Sequence, residues 1–127
     1  MFILNIEDDI YKHHDICIAL KRGGFSSLQI DCEENLEDGM NRIKNQIELG
    51  KPYDLIITDM WYPECPGGTK KESGVKLMNA VKENRWDIPI ILCSSVRYRT
   101  SCILGCVHYS ENEDWESEII RLARQAI

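Results

Sequence analysis

Short apolar runs alternating with segments of helical period constrain this chain more than any other feature. The clearest run is Asp54-Leu55-Ile56-Ile57-Thr58. It is too short for a helix and rich in branched residues, so it reads as a central strand buried on both faces. Phe2 to Ile6 reads as a first strand and Ser27 to Asp31 as a second, with Leu28 and Ile30 on one face. Ile88 to Cys93 is a further buried strand, with Pro89 near its start, where a missing N–H is tolerated. Cys106 to Tyr109 is a weak fifth strand.

The intervening segments carry helix signals. Asp9 can cap a helix over about Ile10 to Arg22, which Gly23-Gly24 ends. Leu36, Met40, Ile43 and Ile47 recur at spacings of four, three and four and trace one helical face, stopped at Gly50. Met60 to Ser73 contains Pro63, Pro66, Gly67 and Gly68 and reads as a loop. Ser73 is expected to cap a helix from Gly74 to about Asn84 that buries Leu77, Met78 and Val81. Ser94 to Leu104 reads as a short or distorted helix, and Asp114 caps a final helix carrying Trp115, Ile119, Leu122 and Ala126.

Five βα units imply a parallel sheet with helices on both faces. Right-handed crossovers leave few topologies. The expected architecture is a flavodoxin-like (βα)5 three-layer α/β sandwich of strand order 2-1-3-4-5, with residues 1–127 as one domain.

Composition narrows the function. Hydrophobic residues are 43% and charged residues 28% of the chain, the balance of a soluble globular protein. The net charge of −6 argues against a dominant nucleic-acid surface. No apolar run reaches the roughly 20 residues of a bilayer span. Met1 leads straight into the first strand, with no basic segment before it and no small-residue cleavage site after it, so no signal peptide is read there. A cytoplasmic location is expected. The six cysteines include no Cys-x-x-Cys pair and read as reduced, small buried hydrophobes. Cys102 and Cys106 on one helical turn, with His108 near, are the zinc alternative, which lacks further ligands.

Chemistry is expected beyond the carboxyl ends of the strands. Glu7-Asp8-Asp9 ends the first strand, Asp59 the third, and Ser94-Ser95 the fourth. Clustered carboxylates repel unless a cation or protons neutralise them, and oxygen ligands in a small site suit Mg²⁺. Asp9 is accounted for as a helix cap.

The segments Ile3-Leu4-Asn5-Ile6-Glu7-Asp8-Asp9, Asp54 to Pro63 and Pro89 to Ser95 resemble the receiver domain of two-component response regulators, of the CheY-like superfamily. The resemblance covers essentially the whole chain. It implies Asp59 as phosphoacceptor and Mg²⁺ (or Mn²⁺) held by Asp8, Asp59 and the backbone carbonyl of Trp61, with Glu7 acting through water. It implies Ser94 as the switch hydroxyl and Pro63 as the residue shaping the loop. The partners implied are a sensor histidine kinase or phosphotransfer protein upstream and a protein target downstream, with no direct nucleic acid and no membrane. No output domain is read after the last helix, so the expectation is a stand-alone receiver or a fragment of something longer.

The match departs from the family pattern in several places: the loop from Met60 to Ser73 is longer than receivers usually show, the segment for their fourth helix is shorter, and the fifth strand lacks two expected features. Receivers carry a lysine at the end of the fifth strand. Here the last lysine is Lys82, and Tyr109 or Ser110 stands at that place. Arg97, Arg99, Lys70 and Lys71 are the candidates to supply the charge. The aromatic switch position falls among Cys106, Val107 and His108, with Tyr109 the nearby aromatic. Trp61 and Tyr62 either shield the site, contact a partner or anchor the loop against the core, and His13 and His14 read as solvated helix residues. A degenerate receiver serving only as a protein-interaction module is the alternative function. A phosphohydrolase would need a second carboxylate where this chain has Trp61, so no enzyme activity is expected.

Overall fold

The computed structural model describes all 127 residues, Met1 to Ile127. Five strands form one parallel sheet: β1 (Phe2–Ile6), β2 (Gln29–Glu33), β3 (Leu55–Thr58), β6 (Ile90–Ser94) and β7 (Gly105–His108). Their order is β2-β1-β3-β6-β7, which is the expected 2-1-3-4-5 when only sheet strands are counted. Successive side chains on a strand point to opposite faces, so the central runs feed two cores. Ile3, Leu55, Ile57, Ile91, Cys93 and Val107 face α1 (Ile10–Arg22) and α4 (Trp115–Gln125). Leu4, Ile6, Ile56 and Ile90 face α2 (Leu36–Glu48) and α3 (Ser73–Glu83). The result is a three-layer α/β/α sandwich. No helix is long and apolar enough to cross a membrane.

Local chemistry sets most helix ends. Asp9 accepts from the amides of Tyr11 and Lys12 at the start of α1, and Asp114 accepts from the Ser117 amide at the start of α4. Gly50, at φ +71°, follows α2 in the left-handed region that glycine occupies freely.

Several expectations need correction. The segment after β6 contains no helix, so the chain has four helices and not five. Val96 is exposed, Thr100 and Ser101 are residues that compete for backbone hydrogen bonds, and Cys102 sits at φ +66°, outside the right-handed region. Nothing in this segment presents an apolar stripe for a helix to bury. The loop after Asp59 is not wholly irregular: β4 (Tyr62–Pro63) pairs antiparallel with β5 (Lys70–Lys71) as a small ribbon. Ser73 does not cap α3. Glu72 holds that position, and the buried Ser73 hydroxyl donates to the Tyr62 carbonyl at 2.6 Å. The second strand lies two residues later than expected because Ser27, at φ +50°, makes a turn. Only Cys93 of the six thiols is buried; Cys65 and Cys102 are exposed, and Cys102 and Cys106 share no helical turn.

Candidate functional site

Strands β1 and β3 are neighbours in the sheet, with Ile6 paired to Thr58. Their carboxyl ends therefore deliver Glu7, Asp8 and Asp59 to one place. One carboxylate oxygen from each lies within 4.8 Å of the others. Glu7 is buried, and the Asp8 and Asp59 side chains are largely so.

The three acids are held differently. Asp59 Oδ1 accepts from the Met60 amide at 2.8 Å, while Oδ2 has no hydrogen-bond partner within the protein. Asp8 Oδ2 lies 3.3 Å from Lys70 Nζ, on the ribbon. Asp8 Oδ1 is buried and has no hydrogen-bond partner at all. A buried carboxylate oxygen without a donor carries a desolvation cost that a cation would remove. Hard oxygen donors around a small space, one of them unpartnered, fit a small divalent ion such as Mg²⁺ or Mn²⁺.

A residue that the sequence reading missed sits in the middle of this cluster. Lys12 leaves the first turn of α1 and is only 5% exposed. Its Nζ lies 2.7 Å from Glu7 Oε1 and 3.4 Å from Asp59 Oδ1, and it donates to the Cys93 carbonyl at 2.7 Å. The signal was present in the sequence: Lys12 precedes Ile16, Ala19 and Leu20 by four, seven and eight residues, which puts it on the buried face of α1.

Burial pushes the Glu7 carboxyl up from 4.5 to about 7, with the Asp59 charge adding to this and Lys12 opposing it. Burial also works against the Lys12 ammonium, but Glu7, Cys93 and Asp59 outweigh it and hold its pKa above the ordinary lysine value. Because the folded-state value of Glu7 exceeds the unfolded one, its stabilising contribution is complete below about pH 4.5 and is lost as pH rises through about 7. In EDTA, denaturant unfolding should show the wild-type protein losing about 2 kcal/mol more than Glu7→Gln between about pH 5.5 and 8.5. Parallel pH profiles for the two proteins would refute this.

The other predicted residues are placed as follows. Ser94 ends β6, is buried, and its hydroxyl accepts from the Val96 amide at 3.2 Å. Pro63 lies in β4, paired with Lys70. Trp61 is 43% exposed and its indole N–H donates to the Tyr98 hydroxyl at 2.6 Å, whereas Tyr62 is fully buried as the loop anchor. Tyr109 follows β7 directly, its amide donating to the Ser94 carbonyl, and its ring centroid lies 5.6 Å from Lys12 Nζ. Of the four candidate replacement cations, Lys70 reaches Asp8, while Arg97 pairs with Glu113 and neither Arg99 nor Lys71 forms an ion pair. His13 is half-buried, accepting from the Asn5 side-chain amide at 2.8 Å, and so is not a solvated helix residue.

The five-stranded parallel sheet of order β2-β1-β3-β6-β7 is a doubly wound, flavodoxin-like α/β fold, which receiver domains share. The solved structures it is similar to include response regulators. A receiver domain from Rhodospirillum rubrum is 18% identical, with a TM-score of 0.69 over 100% of this chain and 95% of that one. A DNA-binding response regulator of the LuxR family from Staphylococcus aureus is 14% identical, with a TM-score of 0.72 over 99% and 98%. The Mn²⁺-bound form of response regulator Rcp1 is 14% identical, with a TM-score of 0.61 over 94% and 88%. At these identities the likeness is one of fold. No family model matches the sequence, and neither does any curated protein.

Proposed function

We propose that this chain is a cytoplasmic phosphoacceptor receiver of a two-component phosphorelay, taking a phosphoryl group on Asp59 from a histidine kinase or phosphotransfer protein and passing the signal to a protein partner. The observation that carries this reading is the convergence of Glu7, Asp8 and Asp59, with one buried Asp8 oxygen unpartnered. Asp8, Asp59 and the Trp61 carbonyl would hold the divalent ion, with Glu7 acting through water. The ion would offset repulsion between Asp59 and an anionic donor.

The chain's own residues do the rest. The Met60 amide fixes Asp59 Oδ1 and leaves Oδ2 as the oxygen to attack phosphorus. Ser94, at the end of β6, presents a hydroxyl to the phosphoryl oxygens, and Pro63 sets the path of the loop through its place in the ribbon. The new charge is read out as a rearrangement around Ser94. The protein is a substrate of the transfer and not a turnover catalyst.

Acetyl phosphate with Mg²⁺ should add one phosphoryl mass to the wild-type protein and none to Asp59→Asn, read by intact-mass spectrometry. Mg²⁺ alone should change the tryptophan fluorescence, and the part due to Trp61 should be absent from Trp61→Phe, which keeps Trp86 and Trp115. Labelling of both proteins, or of neither, refutes the assignment.

The degenerate receiver, a binding module without efficient phosphorylation, draws on one observation: Tyr109 and Ser110 follow β7, and neither is the lysine that the resemblance implies there. An unchanged spectrum on Mg²⁺ titration, together with no mass change, would favour it.

A further inference from the structure

We propose that Lys12, from the first turn of α1, is the fixed cation that holds the phosphoryl group on Asp59, taking over from α1 the charge missing after the last sheet strand. The proposal rests on Asp59 being the phosphoacceptor.

Lysine is seldom buried unless it is paired. Here the ammonium is anchored by two contacts that leave it little freedom, the Cys93 carbonyl and Glu7 Oε1, each at 2.7 Å. Those two partners come from β6 and from the end of β1. They aim Nζ at Asp59 Oδ1, 3.4 Å away, which is long for a charge-assisted hydrogen bond. The ammonium is thus beside the acceptor carboxylate without being fully committed to it. Helix α1 supplies the rigidity: the Asp9 side chain caps it and accepts from the Lys12 amide itself. Tyr109 covers the ammonium from the other side, with its ring centroid 5.6 Å from Nζ, its ring edge-on to Trp115 and its hydroxyl donating to Asp15 at 2.5 Å. The residue after β7 thus helps to enclose a cation that it does not itself supply. Lys70, the other lysine at the acids, contacts Asp8 from a side chain 63% exposed and has no second anchor.

The step balances without a proton passing through Lys12. A bond forms between an Asp59 carboxylate oxygen and phosphorus, and the phosphorus–oxygen bond of acetyl phosphate breaks. Acetate leaves with the electron pair, and the acyl phosphate keeps the phosphoryl charge. Lys12 remains an ammonium throughout and donates a hydrogen bond to a phosphoryl oxygen.

A cation that only neutralised the acids would compete with a metal, and its removal would help both metal binding and phosphorylation. A cation that binds the phosphoryl group has the opposite effect on the second. In Lys12→Met, Mg²⁺ titrated against Trp61 fluorescence should bind at least as tightly as in the wild-type protein, while phosphoryl uptake from acetyl phosphate falls roughly ten- to a hundredfold. Lys12→Met/Tyr109→Lys should recover uptake by returning an ammonium to the same space. Equal or faster uptake in Lys12→Met overturns the assignment while leaving Asp59 as acceptor. Should Lys12→Met fail to fold, the ¹⁵Nζ resonance of Lys12 in the wild-type protein decides: it should shift when beryllofluoride is added to Mg²⁺-loaded protein, and an unmoved resonance overturns the assignment. Wild-type protein that takes up no phosphoryl group overturns the receiver reading and this inference together.

Discussion

Gly74→Ala should cost about 3 kcal/mol and lower the melting temperature by roughly 12 °C. Gly74 is the second residue of α3, and its amide donates to the Met60 carbonyl at 3.0 Å. A Cβ there would stand 2.5 Å from the Asp59 carbonyl oxygen and 2.8 Å from the Met60 Cα. Both are backbone atoms, so no rotamer change relieves the clash. Either α3 must withdraw or the turn carrying Asp59 must move. The same variant should therefore blunt the Mg²⁺-dependent change of Trp61 fluorescence. Gly50→Ala is the control: its Cβ meets open space, and only the positive φ opposes it, at about 1 kcal/mol. A Gly74→Ala protein that melts with the wild type would show that the α3–Asp59 junction is not tightly packed.

Tyr62→Ala should destabilise the fold by about 3–5 kcal/mol, while Tyr62→Phe should cost only about 1 kcal/mol. Tyr62 is fully buried among Leu4, Ile6, Ile43 and Leu77, and its truncation leaves a ring-sized cavity under the ribbon. The hydroxyl contributes less. It lies 3.0 Å from Thr58 Oγ1, which itself donates to the Asp59 carbonyl at 2.8 Å and so keeps a partner when Tyr62 loses its oxygen. Urea denaturation of the two variants separates the terms. Equal losses would mean that the hydroxyl chain, and not the packed ring, anchors this loop.

Strand order, the two cores and the meeting of Glu7, Asp8 and Asp59 were all readable from the sequence. The reason is physical: runs such as Leu55-Ile56-Ile57 suit a strand buried on both faces, and a parallel sheet leaves little choice of where its ends point. The features missed are those that leave no periodic trace. Two-residue strands such as Tyr62–Pro63 and Lys70–Lys71 are too short for alternation to register. The segment after Ser94 reads as a short or distorted helix by its place between two strands, although its Thr, Ser and exposed Val residues point the other way. Lys12 escapes a reading by polarity because its charge suggests solvent, yet it is 5% exposed while its apolar neighbours Ile10 and Tyr11 are 68% and 81% exposed. Periodicity was the better guide there than residue polarity.

The strap between β6 and β7 has a mechanical consequence. From Arg97 to Ile103 no main-chain amide donates to another carbonyl, so these protons should exchange with heavy water at nearly free-peptide speed while those of α1 stay locked. Displacing the strap breaks no ladder. Its side-chain link to the turn bearing Asp59 is the bond from the Trp61 indole to Tyr98, so motion on one side of the sheet's rim passes to a compliant arm and not to a rigid rod.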